Sequence, residues 1–369
     1  MILLPHHAVF WTLSHFFVTN MDFKHTILII RTSAIGDIVM SSLLAEGIRR
    51  KYPNARICWI AEPQVRDLLM ENPYLDQVIV WPKAEWKKLF RKGHLIYLAR
   101  EASRFIRMLK DERFTMALDA QGLLRTRAFA FLSAAKTRIG FKSREPGGFL
   151  MTEMIEKGGK SRLMGSEYLY LLDRLGCSSD GITPKVFLSP NDREKAAELL
   201  AQSGAAGAFA VCAPFTTRPQ KHWIEERWRQ LAGLINERLG LLPVWLGGPA
   251  DAKNAEQLAQ QGGGVNFAGK TSLAISAAII EKASLVIGVD TGLVHLGTAF
   301  QVPTIALFGA TRPYLATSSP RTIVLYHPHD CSPCRRTPTC DGNFPCMRDI
   351  SAEDVLHTAI SLIERNSIS

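Results

Sequence analysis

Residues 284–311 of the 369-residue chain read SLVIGVDTGLVHLGTAFQVPTIALFGAT, and this stretch decides the fold. The apolar run 285–289 is bounded by turn-forming residues and predicts a buried strand of a parallel sheet. The sequence then breaks at the D-T-G turn of residues 290–292, continues at helical spacing, and ends in a second apolar run, 304–308. Strand, turn, helix and strand in this order predict an α/β fold with a parallel sheet.

The D-T-G turn follows the carboxyl end of a strand, where open α/β sheets bind their ligands. The first amides of the next helix have no partner within the helix and favour an anion such as a phosphate. Gly292 lets a ligand approach the backbone, Thr291 adds a hydroxyl, Asp290 can cap the helix, and His295 lies one turn further on. The turn therefore predicts a phosphate site, although D-T-G alone is more typical of a capped turn with a core histidine.

A second turn with phosphate-binding chemistry follows the predicted strand 209–213. Residues 214–223 read PFTTRPQKHW and precede a predicted helix. Thr216 and Thr217 offer hydroxyls, and Lys221 offers a cation, at a place in the fold that suits a phosphate. The alternative for Lys221 is a surface lysine at the start of a helix.

The first convincing strand is predicted at residues 25–31, followed by the turn 32–37 and a helix over 38–52. Asp37 therefore lies at the carboxyl edge of the sheet, close to the beginning of that helix. It is either a helix N-terminal carboxylate, worth about 0.3–1 kcal/mol, or a general base. A similar strand-to-helix turn at 118–126, LDAQGLLRT, is a weak motif that a capped turn explains equally well.

The net charge of +10 and the pI of about 9.3 predict an anionic partner: a nucleic acid, an acidic glycolipid or a membrane surface. The excess is concentrated in residues 83–144, which contain sixteen Lys and Arg against five Asp and Glu. Arg100 and Arg104 share one face of a predicted helix there, and this face is either solvated or bound to an anionic acceptor or membrane. No RNA-binding or helix-turn-helix motif accompanies the charge, so nucleic acid is not expected.

The chain is long enough for two domains, and no apolar run reaches the roughly 18 residues that span a bilayer. Residues 1–20 are apolar but lack a basic segment and a cleavage site of the kind that secretory signals carry. We interpret them as a non-native or disordered extension before Met21, with a membrane-surface segment as the second interpretation.

Four of the seven cysteines lie in one short segment near the C-terminus. Four thiols so close together suit a tetrahedral zinc site, but the spacing differs from the usual paired C-x2-C pattern. Reduced structural thiols are therefore the favoured interpretation, and no bound metal is expected. The four residues are Cys331, Cys334, Cys340 and Cys346.

Residues 351–364 predict a terminal amphipathic helix that Ser351 caps with Asp354.

Several of these segments together resemble one family. The stretches DTGLVHL with its following PTIALFGAT, SAIGD, DAQGLLRT and TTRPQKHW resemble motifs of the ADP-heptose:lipopolysaccharide heptosyltransferases, which are inverting GT-B glycosyltransferases. The resemblance implies two Rossmann-like domains facing a cleft. Residues 21–183 would bind the acceptor, residues 184–350 would bind the nucleotide sugar, and residues 351–369 would form a C-terminal helix.

The resemblance also implies a reaction: transfer of a heptose from ADP-heptose to the inner core of lipopolysaccharide, with inversion and without a metal or other cofactor. The acceptor would be lipid A carrying Kdo, or a previous heptose, and the enzyme would be cytoplasmic and peripheral on the inner face of the inner membrane. Asp37 would deprotonate the acceptor hydroxyl, and Lys221 would stabilise the leaving group.

The implied site residues fall into two groups. The nucleotide-sugar group comprises Thr216, Thr217, Lys221, Asp251, Asp290, Thr291, Gly292 and His295. The acceptor group comprises Gln121, Arg125, Arg100 and Arg104. Asp251 would lie near the ADP ribose, or it is a simple helix cap. The alternatives for the whole chain are a GT-B enzyme that uses another nucleotide sugar, a nucleotide-sugar epimerase, and a non-catalytic binding protein with two α/β lobes.

Overall fold

The structure is a computed structural model that describes residues 24–160, 162–311, 313–334 and 336–367. The extension interpreted at residues 1–20 lies outside these described residues. Within them, no helix is long and apolar enough to cross a membrane. The described chain forms two lobes, each built on one six-stranded parallel sheet.

The first lobe carries a sheet with the strand order β3-β2-β1-β4-β5-β6. Its strands are β1 (Thr26–Ile30), β2 (Arg56–Ala61), β3 (Gln77–Val80), β4 (Met116–Asp119), β5 (Thr137–Phe141) and β6 (Glu153–Ile155). Its helices are α1 (Ile35–Ser41), α2 (Leu43–Lys51), α3 (Lys83–Arg91), α4 (Leu95–Asp111), α5 (Leu124–Leu132) and α6 (Ser166–Arg174). The order is that of a Rossmann sheet, with the topological switch between β1 and β4.

The second lobe repeats this order, since its sheet runs β12-β11-β10-β7-β8-β9. Its strands are β7 (Phe209–Ala213), β8 (Leu242–Trp245), β9 (Val265–Asn266), β10 (Leu285–Val289), β11 (Thr304–Phe308) and β12 (Thr322–Tyr326). Its helices are α7 (Pro190–Gln202), α8 (Glu225–Leu239), α9 (Ala252–Gly262), α10 (Leu273–Lys282), α11 (Gly292–Ala299), α12 (Pro345–Arg348) and α13 (Ala352–Ser367). Every residue of β7, β10 and β11 is buried, as expected of strands covered on both faces.

The single helix predicted over residues 38–52 is wrong: the structure has two helices with Ser42 between them. The Ser42 hydroxyl donates to the carbonyl of Val39 at 2.8 Å and accepts the amide of Lys185 at 2.9 Å. Serine side chains that bond to nearby backbone compete with the helical pattern. The break therefore comes from a tertiary contact that helical spacing does not reveal.

The C-terminal helix forms as predicted and packs on the second lobe. The Ser351 hydroxyl accepts the amide of Asp354 at 3.0 Å, and the Asp354 carboxylate accepts the amide of Ser351 at 3.1 Å. This reciprocal capping box begins α13, whose apolar face joins the core around Trp228 and Trp245.

The predicted domain boundary at 183/184 falls in the coil between α6 and α7, and the boundary itself stays a prediction.

The two lobes meet along an interlobe seam in which α1 packs against α11. A Cβ on Gly292 would lie 2.5 Å from the Cβ of Ile35, and a Cβ on Gly36 would lie 2.5 Å from the ring of His295. The two glycines therefore permit the helices to approach closely. Val39 and Leu68 of the first lobe are buried in the apolar cluster that includes Leu296 of the second.

Candidate active site

The D-T-G turn after β10 places Asp290 among side chains from the two neighbouring strands. Lys221, in the turn after β7, lies with its Nζ 2.6 Å from Asp290 Oδ2. Thr311, which follows β11, donates its hydroxyl to the same oxygen at 2.6 Å. Because β7, β10 and β11 are adjacent in the sheet, their carboxyl ends bring these three residues to one point. The sequence motif contained Thr311, but its bond to Asp290 was not predicted.

Asp290 is ionised in this environment. Burial alone raises the pKa of its carboxyl, but the interactions with His295 and Lys221 outweigh burial and hold the pKa well below its usual range. The prediction that Asp290 caps the following helix is wrong, because the N-cap of α11 is Thr291 and no side chain caps that helix. The Asp290 carboxylate instead pairs with Lys221 and accepts the hydroxyl of Thr311. Among the described residues, the first amides of α11 therefore have no side-chain acceptor.

His295 is buried in the interlobe seam, where it links Asp290 to the first lobe. Its Nε2 lies 3.8 Å from Asp290 Oδ1, and its Nδ1 lies 3.3 Å from the sulfur of Met164. The ring of Tyr314 stands edge-on at 6.4 Å between centroids. His295 thus combines the two interpretations of its position, since it is a core residue that also contacts a site carboxylate.

Asp37 lies in the first turn of α1 and is about a third exposed, with 37% of its side chain accessible. Its carboxylate forms an ion pair with Arg31, the residue that follows β1. Arg31 is buried, and its Nη1 donates to the carbonyl of Ala120 at 3.0 Å. Arg31 is therefore anchored on the residue after β4 and holds the Asp37 carboxylate in position through the ion pair. Sequence reasoning missed this role, although an arginine directly after a buried strand was a signal for it.

Gln121 fixes the turn that leads to Asp37. Its Oε1 accepts the amide of Thr32 at 2.9 Å and the Thr32 hydroxyl at 3.0 Å. The preceding Asp119 is fully buried and accepts the amides of Gln121 and Gly122, both at 3.0 Å. Burial raises the pKa of the Asp119 carboxyl. The predicted acceptor residue Gln121 thus has a demonstrated structural role in holding the carboxyl ends of β1 and β4 together.

The other predicted acceptor residues lie on the exterior of the first lobe. Arg125 is exposed in the first turn of α5, and Arg100 and Arg104 are exposed on α4. Arg104 pairs with Glu101 of its own helix at 2.6 Å. Among the described residues, no hydrogen bond or ion pair joins these arginines to Asp37 or to Gln121. Their part in acceptor binding stays a prediction.

The remaining nucleotide-site predictions concern two loops at the carboxyl edge of the second sheet. Thr216 is half-buried, its carbonyl lies 2.9 Å from His222 Nε2, and Thr217 is exposed. Asp251 is half-buried and accepts the amide of Gly248 at 2.8 Å, a contact within its own turn. Asp251 therefore caps the short 3-10 helix Pro249–Asp251, in agreement with the helix-cap alternative, and a contact with ribose stays a prediction.

The four C-terminal cysteines are free thiols in the structure. Across the described part of the chain, no group of three or more His, Cys, Asp or Glu side chains is placed to hold a metal ion. Cys346 is buried in the core of the second lobe beside Met347, where a Cβ on Gly309 would lie 2.8 Å from its sulfur. For Cys346 the structure agrees with a structural thiol.

A comparison of the sequence with protein families assigns the chain to one family. The model of glycosyltransferase family 9 (heptosyltransferase) matches residues 102–343, which is more than half of the chain. The chain belongs to glycosyltransferase family 9. It is therefore an enzyme that transfers a glycosyl group.

Individual relatives of this family 9 enzyme cover between 78% and 94% of the chain. It is 28% identical over 300 residues to lipopolysaccharide heptosyltransferase 1 of Escherichia coli (strain K12), covering 78% of this chain and 89% of the relative. It is similar to the solved family 9 glycosyl transferase from Veillonella parvula DSM 2008, with a TM-score of 0.79, 22% identity and coverage of 94% and 99%. It is also similar to the E. coli heptosyltransferase WaaC solved with ADP-2-deoxy-2-fluoro heptose. The TM-score is 0.69, the identity is 24%, and the match covers 92% of this chain and 99% of WaaC. These likenesses confirm the GT-B fold.

The family match includes Lys221 and Asp290 but begins after Asp37. The prediction of a site residue at Asp37 therefore rests on the S-A-I-G-D turn, and it stays a prediction. In that geometry α1 contacts α11: Asp37 lies in the first turn of α1, and Asp290 lies two residues before the first residue of α11.

Proposed function

We propose that this family 9 enzyme transfers a heptose from ADP-heptose to the inner core of a lipopolysaccharide, with inversion and without a metal ion. One observation carries the proposal: a carboxylate that is about a third exposed and a largely buried Lys–Asp pair lie beside the same seam on opposite lobes. Asp37 lies in the first turn of α1, Asp290 lies in the turn that leads into α11, and Lys221 pairs with Asp290 from the turn after β7. This is the arrangement that a base and a leaving-group site need.

Asp37 is the proposed general base. Its accessible carboxylate takes the proton of an acceptor hydroxyl while the hydroxyl oxygen attacks the anomeric carbon of the donor. Arg31 holds that carboxylate in place and is itself anchored on the Ala120 carbonyl. With the base in one lobe and the leaving-group site in the other, the oxygen is proposed to attack from the side opposite to ADP. A single displacement of this kind inverts the anomeric carbon.

The second lobe is proposed to stabilise the departing ADP, which gains negative charge at its β-phosphate. Lys221 supplies a cation that Asp290 holds at 2.6 Å, and the uncapped amides of α11 supply further donors. Thr216 and Thr217 add hydroxyls from the turn before Lys221. Such preorganised donors supply the charge compensation that a metal ion provides in other transferases. The solved relative WaaC, with its ADP-heptose analogue, supports ADP-heptose as the donor.

The proposed acceptor is an anionic saccharide on a lipid, ending in Kdo or in heptose. The positive charge of residues 83–144 and the name of the E. coli relative support this class. Arg125, Arg100 and Arg104 are proposed to contribute to its binding. The enzyme would then work at the cytoplasmic face of the inner membrane, where a lipid-linked acceptor and a soluble nucleotide sugar meet.

The test is to incubate the purified enzyme with ADP-heptose and a panel of truncated lipopolysaccharides, and to weigh the products by mass spectrometry. We expect one added heptose on one acceptor of the panel and none on the others, which also identifies the acceptor. UDP- and GDP-sugars serve as controls for the donor. Transfer from one of these sugars but not from ADP-heptose would replace the proposed donor, and ADP binding without any transfer would contradict the proposal.

A further inference from the structure

The hairpin between α3 and α4 exposes a cluster of large apolar side chains. The hairpin tip, defined as residues 87–97, carries Phe90, Leu95, Ile96 and Tyr97, which are 64%, 55%, 79% and 62% exposed. These are four of the nine large apolar side chains that are exposed in the described chain, gathered in eleven residues. Isolated exposed apolar residues are common, but a cluster of this kind marks an interaction surface.

Basic side chains surround the apolar cluster. Lys87, Lys88, Arg91 and Lys92 are all exposed, and Arg100 follows on the first turns of α4. No Asp or Glu occurs between Trp86 and Arg100. Lysine is depleted at protein–protein interfaces, whereas lysine, arginine and bulky apolar residues together are typical of segments that bind the surface of anionic membranes. The composition therefore favours a lipid partner over a protein partner.

The tip has a defined shape that presents these side chains outward. Gly93 has a φ of +71°, and the amides of His94 and Gly93 donate to the carbonyls of Leu89 and Phe90. This is a Schellman turn, which ends α3 and turns the chain into α4. At the base of the hairpin, the ring of Trp86 packs edge-on against Phe105 at 5.6 Å between centroids. The hairpin is thus anchored at its base, while its tip contacts solvent.

The position of the tip relates it to the active site. With 17 residues, α4 is about 26 Å long, whereas the four residues of β4 span only about 13 Å. A helix that crosses between parallel strands runs back along the sheet, and α4 ends shortly before β4 begins. Its first turns therefore extend past the carboxyl edge of the sheet, which is the edge that carries Asp37.

We infer that the hairpin tip inserts its apolar side chains into the interface of a phospholipid bilayer whose anionic headgroups pair with the surrounding lysines and arginines. The inference deepens the proposed function, because it rests on an acceptor that is held in a membrane. Docking through the tip would bring the carboxyl edge of the first sheet, and Asp37 with it, toward the membrane surface.

The test is flotation of the purified full-length enzyme with vesicles that contain no lipopolysaccharide. One set of vesicles is an equal mixture of phosphatidylglycerol and phosphatidylcholine, and the other is phosphatidylcholine alone. We expect the parent enzyme to float with the anionic vesicles, and we expect added salt to weaken this binding. The combined variant Phe90→Ser, Ile96→Ser, Tyr97→Ser should reduce binding at least tenfold. Met70→Ser, which alters a 52% exposed side chain elsewhere, should leave it unchanged.

Two further measurements separate this inference from the proposed function. With a delipidated, water-soluble acceptor, the triple variant should turn over like the parent, because the tip does not contact the reacting groups. Absence of turnover in both proteins would count against the proposed function. The flotation result would still show whether the hairpin tip binds the membrane. Equal flotation of parent and triple variant would overturn the inference. So would a parent dimer that the triple variant abolishes in sedimentation velocity, with flotation unaffected, since the tip would then bind a second copy.

Discussion

At the scale of single residues, the two site carboxylates differ in the way the protein holds them. Asp37 is about a third exposed and has Arg31 as its ionic partner. Asp290 is largely buried, with 16% of its side chain accessible, and contacts Lys221, Thr311 and His295. An accessible carboxylate is able to accept a proton from a substrate, whereas Asp290 acts as a fixed counter-ion.

We expect Asp37→Asn to lower turnover by about 10²–10⁴ because the proposed base is lost, a range typical of general bases. ADP affinity, measured by titration calorimetry, should remain at the parental value, since the proposed ADP site lies in the other lobe. Asp67→Asn is a matched control, because Asp67 is a comparably exposed carboxylate that also pairs with an arginine, Arg66. Parental turnover in Asp37→Asn would remove Asp37 from the mechanism.

Lys221→Met should remove a charge-assisted contact with the leaving phosphate, worth roughly 1.5–3 kcal/mol. More of this loss should appear in kcat than in ADP affinity, because the charge on the phosphate grows during the reaction. Lys195→Met, at an exposed position of α7, is the control for removing a lysine charge. If Lys221→Met loses ADP affinity while kcat stays at the parental value, Lys221 binds the ground state and the transition state equally, and its proposed role in catalysis is lost.

The lowered pKa of Asp290 makes a prediction about acid stability. Its folded pKa lies below its unfolded value of about 3.9, so its ionised form stabilises the folded state above that value. This contribution is lost as the pH falls below about 4 toward the folded pKa. The free energy of unfolding of the parent should therefore exceed that of Asp290→Asn near pH 7, and the difference should shrink below pH 4. Urea titrations across this range provide the measurement, and a constant difference would argue against the assigned ion pair.

At the scale of secondary-structure elements, Gly292 acts in a contact that its sequence context does not indicate. It lies in a phosphate-binding type of turn, which predicts close approach of a ligand. In the structure, however, the absent side chain makes room for Ile35 of the opposite lobe. A methyl group there would have to displace α1 from α11, and overpacking of this kind typically costs about 1–3 kcal/mol.

Gly292→Ala should therefore lower the Tm and reduce kcat/KM, since the proposed site residues of both lobes lie beside the seam. Gly233→Ala is the matched control. Gly233 lies inside α8, is exposed, and a Cβ there would meet no atom within 4 Å. That substitution should raise stability by about 0.4–1 kcal/mol through the unfolded state. Thermal unfolding of both variants checks the pair, and an unchanged Tm in Gly292→Ala would mean that the seam opens at little cost.

The elements that the sequence predicts well are those that a local pattern determines. The apolar runs predicted at 209–213, 285–289 and 304–308 coincide with β7, β10 and β11, because buried parallel strands are continuous and short. The break at Ser42 and the partners of Asp290 depend instead on residues from other elements. Lys185 lies 143 positions from Ser42, and Lys221 lies 69 positions from Asp290. Contacts of this range leave no trace in local spacing.

At the scale of the whole molecule, the two lobes share a strand order but carry different chemistry. Both sheets have the Rossmann order, and both place their site residues where strands end. The basic excess predicted for residues 83–144 lies in the first lobe, and its exposed arginines and lysines cover α3 and α4. The sequence indicated this charge, but only the fold brings it together with the apolar hairpin tip, because exposure of an apolar residue depends on what packs beside it.

The interlobe seam has a consequence for how the enzyme melts. Two Rossmann-like domains joined by a coil would ordinarily unfold separately, with two heat-absorption peaks. Here Val39 and Leu68 of the first lobe are 0% and 2% exposed within an apolar cluster that the second lobe supplies. Loss of either lobe would expose part of the core of the other. Scanning calorimetry should therefore record a single transition, with calorimetric and van't Hoff enthalpies that agree. Gly292→Ala, by loosening this coupling, should broaden the transition or split it in two.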